Sequence, residues 1–361
     1  MRCLIVQNRL GADGRSRCIA ELVALLNELG IEPWIVTLIC ANRQIGETFG
    51  LDDLRYRLSR PLPWPRYPSA YNVEILVTNL VAATLMARLR PDLVFNSNNN
   101  VSFLPAGPRY VHYFHGHPFE ALADVMPRYT GGVWKRYVWL LRRFEQNSSP
   151  PPASRLVANS EFVRRAVAAA YGTDVSVIYP PAWTGELRAG RPDARRVVTL
   201  GSFHPDKRQL EQVEIAARMP EWRFVLMGGR ASRRYTALVQ RAAATLTNVV
   251  VVVNPTRQRI TAELARASHF LHTSRLEGFG IAAVEAAAAG CVPVVAQAGG
   301  IREIVEPDAL CFTNVSDAVT ALRSSAGELG QELLRSVQRR LDRFSVSAYR
   351  SGLEPLLGRS G

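Results

Sequence analysis

The chain has 361 residues, of which 47% are hydrophobic and 21% are charged, and its formal net charge is +13 at pH 7. This composition excludes an intrinsically disordered chain, and the length exceeds one typical domain of about 100–200 residues and indicates two. The positive charge favours anionic partners. However, lysine supplies only two of the 44 basic residues, Lys135 and Lys207, so a general preference for arginine explains the charge equally well.

The apolar runs and the cysteines bear on location. No run approaches the ~20 apolar residues that span a bilayer. The opening MRCLIVQN is typical of a first β-strand and not of a signal peptide. The five cysteines form no CxxC pair, so we interpret them as reduced core residues and expect no disulfide framework and no metal site. The sequence therefore predicts a cytoplasmic protein.

The first half of the chain alternates short apolar strands with amphipathic helices around one long irregular stretch at 41–68. The strands are predicted at 3–7, 33–39, 92–96, 109–114, 155–160 and 175–179. The helices are predicted at 17–29, 73–89, 133–144 and 161–171. This alternation is typical of a parallel α/β sheet.

The same pattern restarts after a polar linker at 180–195. Strands are predicted at 195–203, 222–229, 248–254, 269–274, 291–296 and 309–313. The final stretch from Glu328 to Leu357 has a helical pattern. The sequence thus predicts an α/β protein with two Rossmann-like domains.

The most informative segment is SRLEGFGIAAVEAAAAGCVPVVAQAGGIREIV at 274–305. Gly278 and Gly280 flank Phe279 and let the backbone approach a ligand where a new helix begins. Unpaired N–H groups and the helix dipole make this start a site for a diphosphate. Glu277 precedes the helix and Glu285 lies one turn inside it, so both carboxylates can reach the same ligand.

A second segment, VVTLGSFHPDKR, places Lys207 and Arg208 after the first strand of the second domain. This is the carboxyl edge of a parallel sheet, where open α/β folds bind ligands, and lysine is a compact charge suited to phosphate. In the first domain, VHYFHGHPFE ends a strand with three histidines. We interpret His115 as a sugar-contacting residue and His112 and His117 as structural.

Several segments together resemble the retaining glycosyltransferases of family 4. They are 277–305, LGSFHPDKR at 200–208, LVANSEFVRR at 156–165, YFHGH at 113–117 and RFS at 343–345. The resemblance covers most of the chain. It implies the GT-B architecture, with the parallel sheets of two domains facing a central cleft. It also implies metal-independent transfer with retention of configuration, and no cofactor besides a nucleotide-diphospho-sugar as co-substrate.

The resemblance also implies a role for each matching residue. Lys207 neutralises the donor diphosphate, Glu277 contacts hydroxyls of the transferred sugar, and Glu285 contacts the ribose diol. The amides of Phe279 and Gly280 hold the phosphate, and His115 faces the sugar from the opposite domain. Lys207, Glu277 and His115 are therefore the predicted catalytic residues.

The sequence departs from the family pattern once in each domain. Ser202 stands where the family has arginine, and Arg208 is a candidate to supply the missing charge. The family's glycine loop in the first domain is LGADGR here, so Gly11, Asp13 and Gly14 are predicted on the acceptor side.

The predicted domains are 1–180 for the acceptor and 181–340 for the donor, with 341–361 forming a C-terminal helix that packs back on the first domain. Basic and aromatic residues at 55–71 and 134–144 indicate an anionic or lipid-linked acceptor and peripheral contact with an anionic membrane. For 134–144, however, the apolar positions 134, 137, 138, 141 and 144 form one stripe, which favours packing in the core over membrane contact.

Three other functions stay open. An oxidoreductase would share the alternating pattern, but the first strand lacks the GxGxxG turn. A sugar-nucleotide epimerase or a phosphorylase with the same architecture is harder to separate from a transferase. A nucleic-acid-binding protein is suggested by charge alone, without an aromatic platform or recognised motif, so no nucleic-acid partner is expected.

Overall fold

The computed structural model divides the chain into two compact units. The N-terminal unit comprises Met1–Pro181 with Val346–Gly361, and the C-terminal unit comprises Ala182–Ser345. The structure describes residues 1–41, 45–51, 53–60, 71–117, 148–184 and 192–358, together with single positions between 132 and 143. The predicted divisions lay after residues 180 and 340.

The described part of the N-terminal unit contains a parallel sheet with the order β5-β3-β1-β6-β7-β8-β9 and a short pair β2-β4. The strands are β1 Arg2–Val6, β2 Arg9–Leu10, β3 Glu32–Val36, β4 Ile39–Cys40, β5 Arg57–Ser59, β6 Leu93–Asn96, β7 Arg109–Phe114, β8 Ser154–Ala158 and β9 Ser176–Val177. The inner strands are buried on both faces, which explains their continuous apolar runs.

Local capping defines two of the helices in this unit. Helix α1, Gly14–Glu28, begins where the Asp13 side chain accepts a hydrogen bond from the Ser16 N–H at 2.9 Å. Helix α3, Glu161–Tyr171, begins at Ser160 and ends at Gly172, whose φ of 61° is left-handed. The predicted bounds 161–171 of this helix are thus correct.

Helix α2, Tyr71–Leu89, is long and apolar enough to cross a membrane by length and composition alone, with a mean hydropathy of 1.3. It nevertheless packs on β1 and β3, and its Ala82 and Met86 belong to a core cluster with Leu4 and Val94. Helices that cover a parallel sheet are equally apolar on the covered face, so α2 has the contacts of a core helix.

The described part of the C-terminal unit contains a second parallel sheet, ordered β12-β11-β10-β13-β14-β15. Its strands are β10 Asp193–Leu200, β11 Arg223–Gly228, β12 Val249–Val253, β13 Ala267–His272, β14 Val292–Ala296 and β15 Cys311–Phe312. Its helices are α4 Gln209–Ala217, α5 Arg233–Ala243, α6 Arg257–Arg266, α7 Ile281–Ala288, α8 Val315–Ser324 and α9 Glu328–Gln338. Strand β10, where the order reverses, lies between β11 and β13, so its carboxyl end is a switch point.

One prediction of secondary structure was wrong. The stretch 41–68 is not irregular throughout, because β5 at Arg57–Ser59 pairs with β3 at the sheet edge; three residues give no usable periodicity. The stretch 328–357 is largely helical, as predicted, but it is divided into two helices. A 3₁₀ turn at Leu341–Phe344 separates α9 from the last helix, α10 Val346–Leu357, and α10 returns to the N-terminal unit.

Candidate functional site

The polar cluster of the C-terminal unit forms where β10 and β13 end side by side. The turn after β10 contains the 3₁₀ helix Pro205–Lys207, and Arg208 follows it with a left-handed φ of 55°. Thr273, which directly follows β13, donates from its hydroxyl to the Lys207 carbonyl at 2.8 Å. The Gln212 amide donates in turn to that hydroxyl at 2.9 Å. This chain of bonds positions Lys207 beside the end of β13.

Glu277 is the centre of this cluster. Its Oε2 atom contacts the Lys207 ammonium and accepts a hydrogen bond from His272 Nε2 at 3.2 Å. The Glu277 side chain is only 19% exposed, and burial alone would raise the pKa of its carboxyl. Lys207 and His272 more than offset this effect and hold the pKa of Glu277 well below its usual range. Glu277 is therefore ionised at neutral pH.

Glycines hold the backbone of Glu277 in place. Gly299 has a φ of +78°, and a Cβ there would lie 2.7 Å from the Glu277 carbonyl oxygen. The next residue, Gly300, donates its N–H to that oxygen at 2.8 Å. Gly280 has a φ of +102°, and its missing side chain leaves room for Ile301. The glycines that marked this segment in the sequence thus have a close-approach role.

Helix α7 begins directly after Gly280 and points its first N–H groups towards the loop that carries Glu277. The ring of Phe279 is buried against Phe344, with 5.1 Å between ring centroids. Its backbone amide remains the group predicted to contact a ligand, and Gly278 lies between it and Glu277. The helix start therefore combines a dipole and flexible glycines with an adjacent lysine.

Glu285 lies in the middle of α7 and is buried. The guanidinium of Arg257, at the start of α6, lies 3.8 Å from its Oε2 atom and 3.6 Å from the centre of the Trp183 ring. The structure thus places Glu285 beside a cation that is stacked on an aromatic face. Neither Arg257 nor Trp183 was singled out from the sequence, because neither belongs to a local motif.

Arg208 and Ser202 lie near the cluster but make other contacts. The Arg208 guanidinium pairs with Glu211 across the first turn of α4, and Glu211 also contacts Arg275 at 3.5 Å. The Ser202 carbonyl accepts a hydrogen bond from the Gln209 amide at 2.9 Å. In this conformation the charge of Arg208 is directed to Glu211 and not to Glu277.

His115 of the N-terminal unit directly follows β7. Its Nε2 atom is 2.8 Å from the Ser97 hydroxyl, and its backbone N–H donates to the Asn99 side chain at 2.9 Å. Burial, with a smaller contribution from Arg15, lowers the pKa of His115 to about 3. The imidazole is therefore neutral at physiological pH and suited to hydrogen bonding with hydroxyl groups.

The two other histidines of this segment have different surroundings. His112 is fully buried between the side chains of Asn96 and Ser154, at 3.2 and 3.3 Å, and burial lowers its pKa to about 3. His117 packs edge-on against Phe162, with 4.8 Å between ring centroids. Within the described ranges no group of three or more potential ligands could hold a metal ion.

The loop predicted on the acceptor side caps helix α1. Gly11 donates its N–H to the Ser16 hydroxyl at 2.8 Å, and Gly14 is the first residue of the helix. Burial would raise the pKa of Asp13, but Arg15 and the Ser16 N–H lower it below the usual range. Arg15 also contacts the Tyr71 hydroxyl. Asp13 therefore has a structural task as the N-cap.

Two features of these sites were missed in the sequence. His272 was not singled out from the sequence, because it is the last residue of a buried and largely apolar strand. The run NSNNN at 96–100 forms a buried hydrogen-bonded network with Asn79 and Asn8 and supports His115. Five consecutive small polar residues after a buried strand were the available signal. Of the predicted acceptor stretch 55–71, residues 61–70 lie outside the described part of the chain, as do the stripe positions 134, 137, 138, 141 and 144.

Two family models match separate parts of the chain. Glycosyltransferase Family 4 matches residues 12–186, and Glycosyl transferases group 1 matches residues 189–324. The chain belongs to the family 4 glycosyltransferases. The predicted GT-B fold is also confirmed, because the crystal structure of Anabaena HepE in complex with UDP and glucose matches with a TM-score of 0.70. That match covers 99% of each chain at 17% identity.

Curated relatives match over shorter stretches. The chain is 31% identical over 115 residues to a GDP-mannose:cellobiosyl-diphosphopolyprenol alpha-mannosyltransferase of Xanthomonas campestris, a match covering 30% of each protein. It is 29% identical over 233 residues to a D-inositol 3-phosphate glycosyltransferase of Mycobacterium bovis, covering 57% of this chain and 48% of that protein. The matches thus span less than half the length of these relatives.

Proposed function

We propose that this family 4 member transfers a sugar from a nucleotide-diphospho-sugar to an acceptor hydroxyl, with retention of configuration and without a metal ion. One observation carries the proposal: Lys207 and Glu277, 70 residues apart in the chain, meet beside the start of α7. A lysine, a largely buried carboxylate and a helix N-terminus suit a ligand with a diphosphate and adjoining hydroxyls.

The donor is proposed to lie along the start of α7. Lys207 and the amides of Phe279 and Gly280 bind the diphosphate, with Gly278 giving the backbone room to approach. Glu277 accepts hydrogen bonds from the transferred sugar, and Glu285 accepts them from the ribose diol. Ser202 and Arg208 border this site, and His115 contacts sugar hydroxyls as a neutral imidazole.

Transfer then requires stabilisation of a departing diphosphate. The bond from the anomeric carbon to the phosphate oxygen breaks, and a bond from that carbon to the acceptor oxygen forms on the same face. The acceptor hydroxyl gives its proton to the departing phosphate oxygen, so the step balances without a protein nucleophile. Lys207 and the α7 amides stabilise the charge that develops on the phosphate, which is the expected main source of catalysis.

The acceptor is proposed to carry phosphate. The names of both curated relatives include phosphate-bearing acceptors, a diphosphopolyprenol and an inositol 3-phosphate. The net charge of +13 favours such anions. The loop containing Gly11, Asp13 and Gly14 borders the start of α1 and is proposed to contact this acceptor.

Peripheral contact of a cytoplasmic protein with an anionic membrane is proposed from residues around 139. Trp139 is 62% exposed and Leu140 is 47% exposed, and Lys135, Arg136 and Arg143 are also exposed. Exposed aromatic and basic side chains together bind anionic lipid surfaces. Co-sedimentation should occur with anionic vesicles and decrease at high salt. Equal binding to neutral vesicles would contradict the proposal.

A thermal-shift panel tests the transferase proposal. UDP, GDP, ADP, CMP and NAD are each added with magnesium and with EDTA. Because a ligand that binds the native state raises Tm, one nucleoside diphosphate should stabilise the protein equally in both conditions. Stabilisation by NAD alone, or by none of the five, would contradict the proposed donor site.

A further inference from the structure

His272 holds the Glu277 carboxylate together with Lys207, and these two contacts share a single oxygen. His272 is the last residue of β13, and its side chain is 8% exposed. The Nε2 atom must carry the proton, because it faces the oxygen of an ionised carboxylate at 3.2 Å. The Nδ1 atom is buried and has no hydrogen-bond partner among the described residues. His272 is therefore directed to Glu277 alone.

His269, three residues earlier in β13, shows how a structural histidine is satisfied in the same strand. Its Nδ1 atom is 2.8 Å from the Ser268 hydroxyl, and its Nε2 atom is 3.2 Å from the Ser325 carbonyl. Both ring nitrogens are thus bonded within the core. An imidazole with one unsatisfied nitrogen is costly to bury for packing alone, so His272 requires another explanation.

The charges around Glu277 explain why His272 is buried there. In this structure the Lys207 ammonium forms an ion pair with Glu277. Under the proposed function, a bound diphosphate competes for the same ammonium. Without His272, the largely buried Glu277 carboxylate would then have no charged or hydrogen-bonding partner on Oε2, which is unfavourable. His272 donates to that oxygen from a different direction and from a rigid strand.

We propose that His272 is a positioning residue that retains Glu277 in its sugar-facing place when the donor diphosphate draws Lys207 away. This inference rests on the proposed function for the donor, but the contact itself needs no ligand. Lys207 can then change partners while Glu277 stays ordered and ionised. Among the described residues, the charged group that contacts His272 is Glu277 from the loop before α7, and Lys207 from the turn after β10 contacts the same Glu277 oxygen.

The ligand-free test removes Lys207 permanently. Carboxyl ¹³C NMR, with the signal assigned through Glu277→Gln, follows the pKa of Glu277 in four proteins. In Lys207→Met the pKa should stay below the usual range, because His272 still donates. In Lys207→Met/His272→Leu it should rise above that range, because burial is then uncompensated. In Lys207→Met/His272→Gln an amide donor should restore part of the lowering.

The inference would be overturned if the pKa of Glu277 rose as much in Lys207→Met as in Lys207→Met/His272→Leu. If the leucine variant does not fold, the pKa of Glu277 in Lys207→Met is compared with that in wild type and in Lys207→Met/His272→Gln. This comparison decides the same question. Addition of UDP, GDP or ADP to wild type forms the second arm. If none of them binds while the NMR comparison holds, the proposed donor site is wrong, whereas the hydrogen bond by which His272 positions Glu277 stands.

Kinetics separate positioning from general stability. His272→Leu should raise KM for the sugar nucleotide about 10- to 100-fold, the range expected for a lost hydrogen bond to a charged group. His272→Gln should stay within about threefold of wild type. An equal loss in both variants, with a lowered Tm, would indicate a purely structural histidine and contradict the proposal.

Discussion

The two units carry polar clusters at the carboxyl ends of similar parallel sheets, yet they build them from different chemistry. In the C-terminal unit, Lys207 and His272 surround the ionised Glu277. In the N-terminal unit, Asn and Ser side chains hold His115, whose pKa of about 3 keeps it neutral. A charged cluster suits a charged ligand, whereas a neutral network suits hydroxyl groups. The comparison therefore supports the proposal that the C-terminal unit recognises the diphosphate.

The largest expected effect is on turnover and follows from this assignment. Lys207→Ala should lower kcat about 10²- to 10³-fold, the range observed when one group that stabilises transition-state charge is removed. Release of nucleoside diphosphate in the presence of acceptor measures the rate. The matched control is Lys135→Ala, since Lys135 is the other lysine and is exposed. Equal losses in both variants would remove the special role of the C-terminal cluster.

The glycine loops of the two units should differ in tolerance. Gly299→Ala places a Cβ 2.7 Å from the Glu277 carbonyl oxygen at a φ of +78°, so it should cost about 1–3 kcal/mol of stability and raise KM for the donor. No atom lies within 4 Å of a Cβ at Gly11, and Gly11→Ala should cost less than about 0.5 kcal/mol. Urea unfolding compares the two; similar costs would contradict the close-approach role of Gly299.

Acid should weaken the N-terminal unit more than the C-terminal unit, in which the structure describes one histidine with a lowered pKa, His269 at about 4. The folded-state pKa of His112 and of His115 is about 3, whereas an unfolded histidine titrates near 6.5. Between these values the unfolded state binds more protons, so stability falls with decreasing pH by up to about 1.4 kcal/mol per unit for each histidine. The lowered pKa of Glu277 acts only below its unfolded value of about 4.3.

Urea midpoints at about pH 7 and about pH 5.5 test this order, because only the histidines separate these conditions. The His112→Gln variant should lose less stability between the two pH values than wild type does. An unchanged difference would mean that the buried His112 does not cause the acid sensitivity.

The smallest effect concerns Asp13, which is both a helix cap and a predicted acceptor-side residue. Asp13→Ala should cost about 1 kcal/mol because α1 loses its N-cap, while Asp13→Asn should cost a few tenths. Thermal unfolding measures both. If Asp13→Asn is as stable as wild type but turns over poorly, Asp13 also acts on the acceptor. Wild-type turnover would leave it a cap alone.

Local signals explain what could be predicted from the sequence. Ser160 and Gly172 defined α3, and the glycines around Phe279 marked a loop that the structure shows in close contact with Gly299. The sequence predicted Lys207 and Glu277 each after a strand of the second sheet, but it did not predict their contact. The rest depends on long-range packing. The roles of His272, Arg257 and Trp183 depend on contacts with residues distant in sequence, which no local pattern shows.

The most direct test of the central claim is isothermal titration of the nucleoside diphosphate that stabilises the protein, in EDTA. It is titrated into wild type, Lys207→Met and Lys135→Met, and the matching nucleoside serves as a phosphate-free ligand. We expect Kd for the diphosphate to rise about 10- to 100-fold in Lys207→Met alone. Binding of the nucleoside should be equal in all three proteins. Wild-type affinity of Lys207→Met for the diphosphate would contradict the account.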